Sequence, residues 1–177
     1  MKIFTTKRLC RAGIIAALYV ALTYAFMPFA FGPFQIRPAE ALCILPLFFV
    51  ESIPALWIGC MLSNLGSPYF VYDVLIGSLA TLISAFASYM VGLFIKKDGI
   101  RIAIGGIFPV LFNALIIPLI IVFLCDGGEG YSSLTAAYFA FAGSIALTEC
   151  VWVYALGAPL YFTVARLKTM GVRFLTN

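Results

Sequence analysis

An all-α integral membrane protein, a bundle of six transmembrane helices, is the fold class that the sequence predicts, and three observations carry it. Of 177 residues, 64% are hydrophobic and 10% are charged, against about 25% charged in a typical soluble domain. The mean hydropathy is +1.11, so polar side chains are too few to cover a globule and lipid must replace water over most of the surface. The charges that remain fall mainly between apolar runs. A soluble enzyme, a disordered tail and a disulfide scaffold are excluded together. The length suits one membrane domain, residues 1–177, of about six spans of roughly 20 residues each.

Taken in order, Lys2, Lys7, Arg8 and Arg11 precede an apolar run that predicts a first span over 12–31. At about 20 residues it is longer than the 7–15 of a signal-peptide core, and no small-residue cleavage site follows convincingly. The segment GPFQIRPAE leads into an apolar stretch from Ala41 to Leu65, broken only by VESIP from Val50 to Pro54. This reads either as one span or as two short ones, 38–51 and 54–66, turning at Glu51-Ser52 with Pro54 opening the second. A span over 70–95 carries Asp73 as its one charge, KKDGIR follows, and a further span covers 102–125. The loop DGGEGYSS then precedes a long run over 134–165 that contains Glu149, and the tail runs from Arg166 to Asn177.

Loop charge decides between five spans and six. With five, Lys96, Lys97, Arg101, Arg166, Lys168 and Arg173 would face the side opposite the N-terminus. With six, they join the four N-terminal cations and leave only Arg37 outside, so that 10 of the 11 basic residues share one face, as the positive-inside rule requires. Six spans follow, with both termini cytoplasmic in the plasma membrane. The net charge of +4 is then a product of topology and lends nothing to a nucleic-acid partner.

Several chemistries are absent. There is no histidine, which removes imidazole metal ligation and His-centred triads. Cys10, Cys43, Cys60, Cys125 and Cys150 are never closer than 17 residues, so no CxxC metal or redox pair exists and they read as small apolar fillers. Without GxxxxGK[ST] the chain has no ATP-binding loop of its own. The expectation is a non-enzyme with no cofactor and no metal; ATP-driven transport would need an ATPase on another chain.

Polar groups at membrane depth carry the functional reading, because such groups are costly and normally face a bundle interior or a watery cavity. Counting about 1.5 Å per residue from the cytoplasmic end puts Glu149 roughly 25 Å and Asn64 roughly 20 Å up. Asp73 falls near the outer boundary, Arg37 and Glu40 flank the outer start of the second span, and Asn113 lies nearer the midplane as an interhelical hydrogen-bonding group. Trp152, at i+3 from Glu149, and Tyr138, at i−11, share its helical face, while Trp57, Tyr69 and Tyr72 offer further rings. The candidate substrate site is Arg37, Glu40, Asn64, Tyr72, Asp73, Glu149 and Trp152, an outward-facing cavity. Three carboxylates against one guanidinium favour a donor-rich or cationic ligand, and aromatic faces suit a planar ring. Plainer roles stand beside these: Arg37 pairing with Glu40, Asp73 capping a helix, Tyr69 and Tyr72 in the interfacial belt.

On the first span Gly13, Ala17, Ala21 and Ala25 recur every four residues, with Ala12 and Ala16 beside them. Such a stripe lets another helix approach closely, from a second subunit or from the same bundle. Gly77, Thr81, Ser84 and Ser88 form a similar run, for which packing inside the bundle is the expectation.

The run QIRPAEALCILPLFFVESIPALWIGCMLSNLGSP, Gln35 to Pro68, resembles the QueT family of queuosine-precursor transporters, as do YDVLIGSLATLISA (Tyr72 to Ala85) and ALTECVWVYALGAPLY (Ala146 to Tyr161). The resemblance implies a six-helix S component of an energy-coupling factor (ECF) transporter. Such a component captures its cargo from outside and works with a membrane coupling subunit and two cytoplasmic ATPases. It also implies that Ala12, Ala16, Ala17, Ala21 and Ala25 contact the coupling subunit, and that the cargo is a 7-deazaguanine base such as preQ0, preQ1 or queuine. A carboxylate accepts bidentately from the guanine-like edge of such a base, which suits Glu149. Asp73 or Glu40 would meet a cationic substituent, Arg37 and Asn64 would bond the ring carbonyl or orient the carboxylates, and Trp152 would stack. Rival classes are an S component for another vitamin-like heterocycle, a proton-coupled secondary carrier using Glu149, and an intramembrane enzyme.

Overall fold

The structure is a computed structural model that describes residues 5–32, 34–172 and 174–175. Among these every regular element is helical. Helix α1, Thr6–Ala25, begins six residues before the expected span, because the Thr5 hydroxyl accepts from the Arg8 amide and caps it. Pro28 then limits the chain to a separate turn, Met27–Ala30. The buried stripe of α1 is Arg11, Ile15, Tyr19 and Thr23, recurring every four residues.

The expected second span, 38–51, is instead a ten-residue 3-10 helix, Pro38–Leu47, followed by a turn. All ten residues are buried, so this element faces protein on every side and no lipid. Runs of 3-10 helix beyond three or four residues are uncommon. Pro38 opens the helix where a missing N–H costs nothing, and the tighter coil fits a central strut crowded by neighbours. Helix α2, Ser52–Ser63, starts at the expected turn, with Glu51 at its N-cap and Pro54 in its first turn. Helix α3 runs Phe70–Phe94, α4 Asp98–Leu124 and α5 Leu134–Thr169, close to the expected spans 70–95, 102–125 and 134–165. Each of these three contains a π segment: Asp73–Gly77, Ile120–Leu124 and Val151–Leu156.

Four helices, α1, α3, α4 and α5, are long and apolar enough to cross a membrane, while Pro38–Leu47 and Ser52–Gly66 are shorter apolar elements. Helices α1 to α5 pack side by side in chain order around the 3-10 helix, which touches all five. Chain direction follows from the contacts. Arg11 pairs with Glu51, Tyr19 lies against Gly59, and Tyr24 and Met27 lie against Gly66, so α1 and α2 run parallel and the 3-10 helix returns between them. Ser88 bonds Gly105 and Asn113 bonds Glu149, so α3, α4 and α5 alternate.

Lys7, Arg8, Arg11, Lys96, Lys97, Arg101, Arg166 and Lys168 therefore share one end of the bundle, and Arg37 lies at the other. Lys2 and Arg173 lie outside the described residues. The basic end is stitched together by that composition. Arg11 meets Glu51 at 2.6 Å and its guanidinium sits over Phe49. Arg101 donates to the Gly92 carbonyl at 2.9 Å and also to that of Leu47, tying the foot of the 3-10 helix to α3 and α4. Tyr161 donates to Asp98 at 2.6 Å. Outwardly, α4 presents Ile104, Ile107, Leu111, Leu115 and Leu119 in one exposed stripe, the surface expected of a helix that faces lipid.

The two small-residue runs separate cleanly. Gly77, Thr81, Ser84 and Ser88 are buried, and Ser88 reaches the Gly105 carbonyl at 2.7 Å; this run is internal packing, as expected. Gly13, Ala17, Ala21 and Ala25 are exposed, on the opposite side of α1 from its buried stripe. Ala12 and Ala16 are half-buried and help to line an apolar groove of about 580 Å³ between α1 and α2, bounded at the basic end by Arg8 and Glu51.

Candidate functional site

At the end opposite the basic cluster, five of the expected residues gather as buried side chains. Arg37 leaves the Met27–Ala30 turn at the head of the 3-10 helix and is 4% exposed. Its Nε donates to the Ala30 carbonyl at 2.9 Å and its Nη1 to Asn64 Oδ1 at 3.4 Å, with the Phe31 ring 4.8 Å below the guanidinium. Asn64, at the end of α2, donates to the Asp73 carbonyl at 2.7 Å, joining Arg37 to the first turn of α3. Asp73 accepts from the Ser67 hydroxyl at 2.5 Å, and Glu149 from Asn113 at 2.8 Å.

Glu40 sits one 3-10 turn below Arg37 and faces α1, where the Tyr19 hydroxyl donates to its Oε1. Its second oxygen accepts from Cys43 Sγ at 3.1 Å. No Arg37–Glu40 ion pair forms among the described residues; each binds elsewhere. Asp73 is likewise no cap, since α3 has already begun at Phe70 and the carboxylate turns back to Ser67. Glu149 follows Thr148, whose hydroxyl donates to the Phe34 carbonyl at 2.7 Å, so the α5 carboxylate lies beside the segment that carries Arg37.

Two placements refine the depth count. Asn113 was expected nearer the midplane than Glu149, yet the two are hydrogen-bonded. The π segment Val151–Leu156 packs more residues into each turn and lowers Glu149 slightly, and the Asn113 bond fixes the two residues at one level. Helix α5 also buries a narrower face than the one expected. Its buried stripe is Ala137, Phe141, Ile145, Glu149 and Val153, and Tyr138 and Trp152 flank that stripe. Tyr138 donates to the Leu115 carbonyl at 3.2 Å, Trp152 is half-buried, and Tyr72 is 40% exposed.

In this cluster Arg37 Nη2, Asp73 Oδ1 and Glu149 Oε2 have no hydrogen-bond partner among the described residues, and neither has Nε2 of buried Gln35, two residues before Arg37 in the chain. A buried polar group left unpaired costs about 1–3 kcal/mol and native proteins retain few. Arg8, Arg11, Glu51 and Arg101 carry further such atoms at the basic end; at this end free donors and free acceptors lie on residues buried away from that charge network, an arrangement that suits a polar ligand. At the same end a small pocket of about 100 Å³ is lined by Phe31, Gly32, Tyr69, Ile121, Gly127 and Phe141, and by none of the cluster's polar side chains. Beside it, burial pushes the Cys125 thiol up, with the Asp73 and Asp126 carboxylates adding to the shift.

Sequence reasoning from charge and depth passed over Tyr19, Gln35, Cys43 and Cys60. The four-residue stripe Arg11-Ile15-Tyr19-Thr23 was a legible signal for Tyr19. Cys43 and Cys60 are more than apolar fillers: Cys43 donates to Glu40, and Cys60 Sγ accepts from Thr81 at 3.3 Å.

Comparison with known proteins finds one family: the model of the QueT transporter family matches residues 9–166. The comparisons with curated proteins and with solved structures find no match.

Proposed function

The chain belongs to the QueT transporter family, and on that premise we propose that it is the substrate-binding S component of an ATP-driven ECF importer, capturing a 7-deazaguanine base such as preQ1, preQ0 or queuine. The observation that carries the reading is the buried cluster with free carboxylate oxygens on Asp73 and Glu149 and a free N–H on Arg37. A guanine-type edge carries ring N–H and amino donors for a carboxylate and a carbonyl for a guanidinium or amide. Glu149 takes the donor edge, Asp73 or Glu40 answers a cationic substituent, and Arg37 with Asn64 holds the carbonyl side. Tyr72 and Trp152 supply flat surfaces at the margins.

Orientation follows from charge. The basic end is cytoplasmic with both termini, by the positive-inside rule, and the site end faces outward. Six crossings are supported by the alternation of the chain between the two ends. The 3-10 helix spans about 20 Å at 2.0 Å per residue, and it needs no lipid-facing length because protein surrounds it. The exposed Gly13, Ala17, Ala21 and Ala25, with Ala12 and Ala16 in the groove alongside, form the surface for the ECF membrane coupling subunit, which in turn carries the two ATPases.

Ligand protection of the purified protein tests the substrate. Thermal unfolding in detergent should shift upward with preQ1, preQ0 or queuine and not with thiamine or riboflavin. Stabilisation by a vitamin but by none of the deazaguanines would sink the assignment.

A further inference from the structure

We propose that Gln35 is a specificity-determining residue of this site, donating its side-chain amide N–H to a ring carbonyl on the substrate. The inference rests on the substrate reading above and deepens it to a carbonyl-bearing, lactam-type heterocycle. Gln35 is 3% exposed, and its Nε2 has no hydrogen-bond partner among the described residues. Its backbone is also unusual, with φ at +48°, a left-handed conformation that glycine or asparagine adopts far more readily. Strain of this kind persists where the surroundings over-determine it, and it clusters at ligand sites.

The surroundings do so here. Gln35 N donates to the Gly32 carbonyl at 3.0 Å and Ile36 N to that of Phe29 at 3.0 Å. Arg37, two residues on, is fixed to Ala30. On the other side the Phe34 carbonyl accepts from Thr148 Oγ1 at 2.7 Å, one residue before Glu149. The segment is thus tied to α5 beside Glu149 and to the head of the 3-10 helix beside Arg37. Glutamine is held between them in a conformation its side chain disfavours, with a buried donor unused.

The free atoms also define the ligand. Asp73 and Glu149 each offer an acceptor oxygen; Gln35 and Arg37 each offer a donor. A ligand of donors alone would leave both N–H groups unpaired, and one of acceptors alone would leave both carboxylates so. A ring that sets an amine and a ring N–H beside a carbonyl answers both. A buried donor left unpaired is also how a site rejects an analogue that lacks the acceptor.

The experiment is a calorimetric titration of the purified full chain with two probes, 7-aminomethyl-7-deazaguanine and the analogue without the ring oxygen. The wild type should prefer the oxo probe by more than about tenfold, because the analogue loses the ring N–H that meets Glu149 together with the carbonyl; the share due to Gln35 is read from the variants. Gln35→Gly removes the amide and relieves the backbone, so it should keep or raise the unfolding temperature. It should lose about tenfold for the oxo probe and almost nothing for the analogue. Gln35→Glu keeps the shape, replaces the donors with acceptors and should discriminate against the oxo probe; it serves if the glycine variant folds poorly. Unchanged oxo affinity in both variants, or equal losses for the two probes, would overturn the role of Gln35 alone. Failure of the wild type to bind either probe would instead overturn the substrate reading, and this inference with it.

Discussion

Glu149 shows what one side chain can decide. Its Oε1 is held by Asn113 while Oε2 is free, and no cation pairs with it directly among the described residues. Glu149→Gln keeps the volume and the Asn113 contact but loses the charge that a donor edge would meet. A hydrogen bond to a charged group is worth about 1.5–3 kcal/mol. The substitution should therefore weaken deazaguanine binding roughly 10- to 100-fold in a calorimetric titration, with the unfolding temperature held or raised. Undiminished affinity would return Glu149 to a purely structural role. This residue was legible in the sequence because a lone carboxylate in a long apolar run is costly. Gln35 was not: its φ and its unpaired amide come from turn geometry that no composition encodes.

At the scale of elements, the joint between the 3-10 helix and α3 is the tightest described. A Cβ at Gly92 would lie 2.5 Å from the Leu47 carbonyl oxygen and 2.8 Å from its Cα, and backbone cannot yield as a flexible side chain can. Gly92→Ala should destabilise the protein by about 1–3 kcal/mol, read as a lower unfolding temperature in detergent. Gly13→Ala is the matched control: nothing lies within 4 Å of the new methyl, and better helix propensity makes it neutral or slightly stabilising. Apolar runs and proline positions were enough to anticipate α2 to α5 and the turn at Glu51. They could not reveal that Pro38–Leu47 coils as a 3-10 helix, because a segment apolar on every side gives no periodicity to read. Nor could they reveal the π segments, which leave no mark in hydropathy.

The whole molecule is polarised, basic residues at one end and the polar cluster at the other. A cysteine introduced at Gly130 should react with a membrane-impermeant maleimide in intact cells, whereas one introduced at Lys97 should react only after the cells are permeabilised. Both variants are made in a chain whose five native cysteines, all free thiols, are replaced. Equal labelling of both positions from outside would contradict the topology. The exposed stripe on α1 gives a second expectation at this scale. Ala17→Leu or Ala21→Leu should impair co-purification with the coupling subunit while leaving ligand affinity unchanged, since neither side chain is buried in the bundle. Normal assembly by both variants would mean that the stripe meets only lipid.

The ten-residue strut at the centre also constrains how such a chain can change over time. Each residue in a 3-10 coil turns the next by about 120° and lifts it by about 2 Å. One residue gained or lost between Arg37 and Arg101's anchor at Leu47 would swing Glu40 away from Tyr19 or pull Arg37 off Asn64. Hydropathy, length and charge balance would hardly register the change. Point replacements by residues of like volume are thus open to drift along this strut, while insertions and deletions are closed to it. Length variation should instead collect in the loop from Cys125 to Ser133 and at the chain ends.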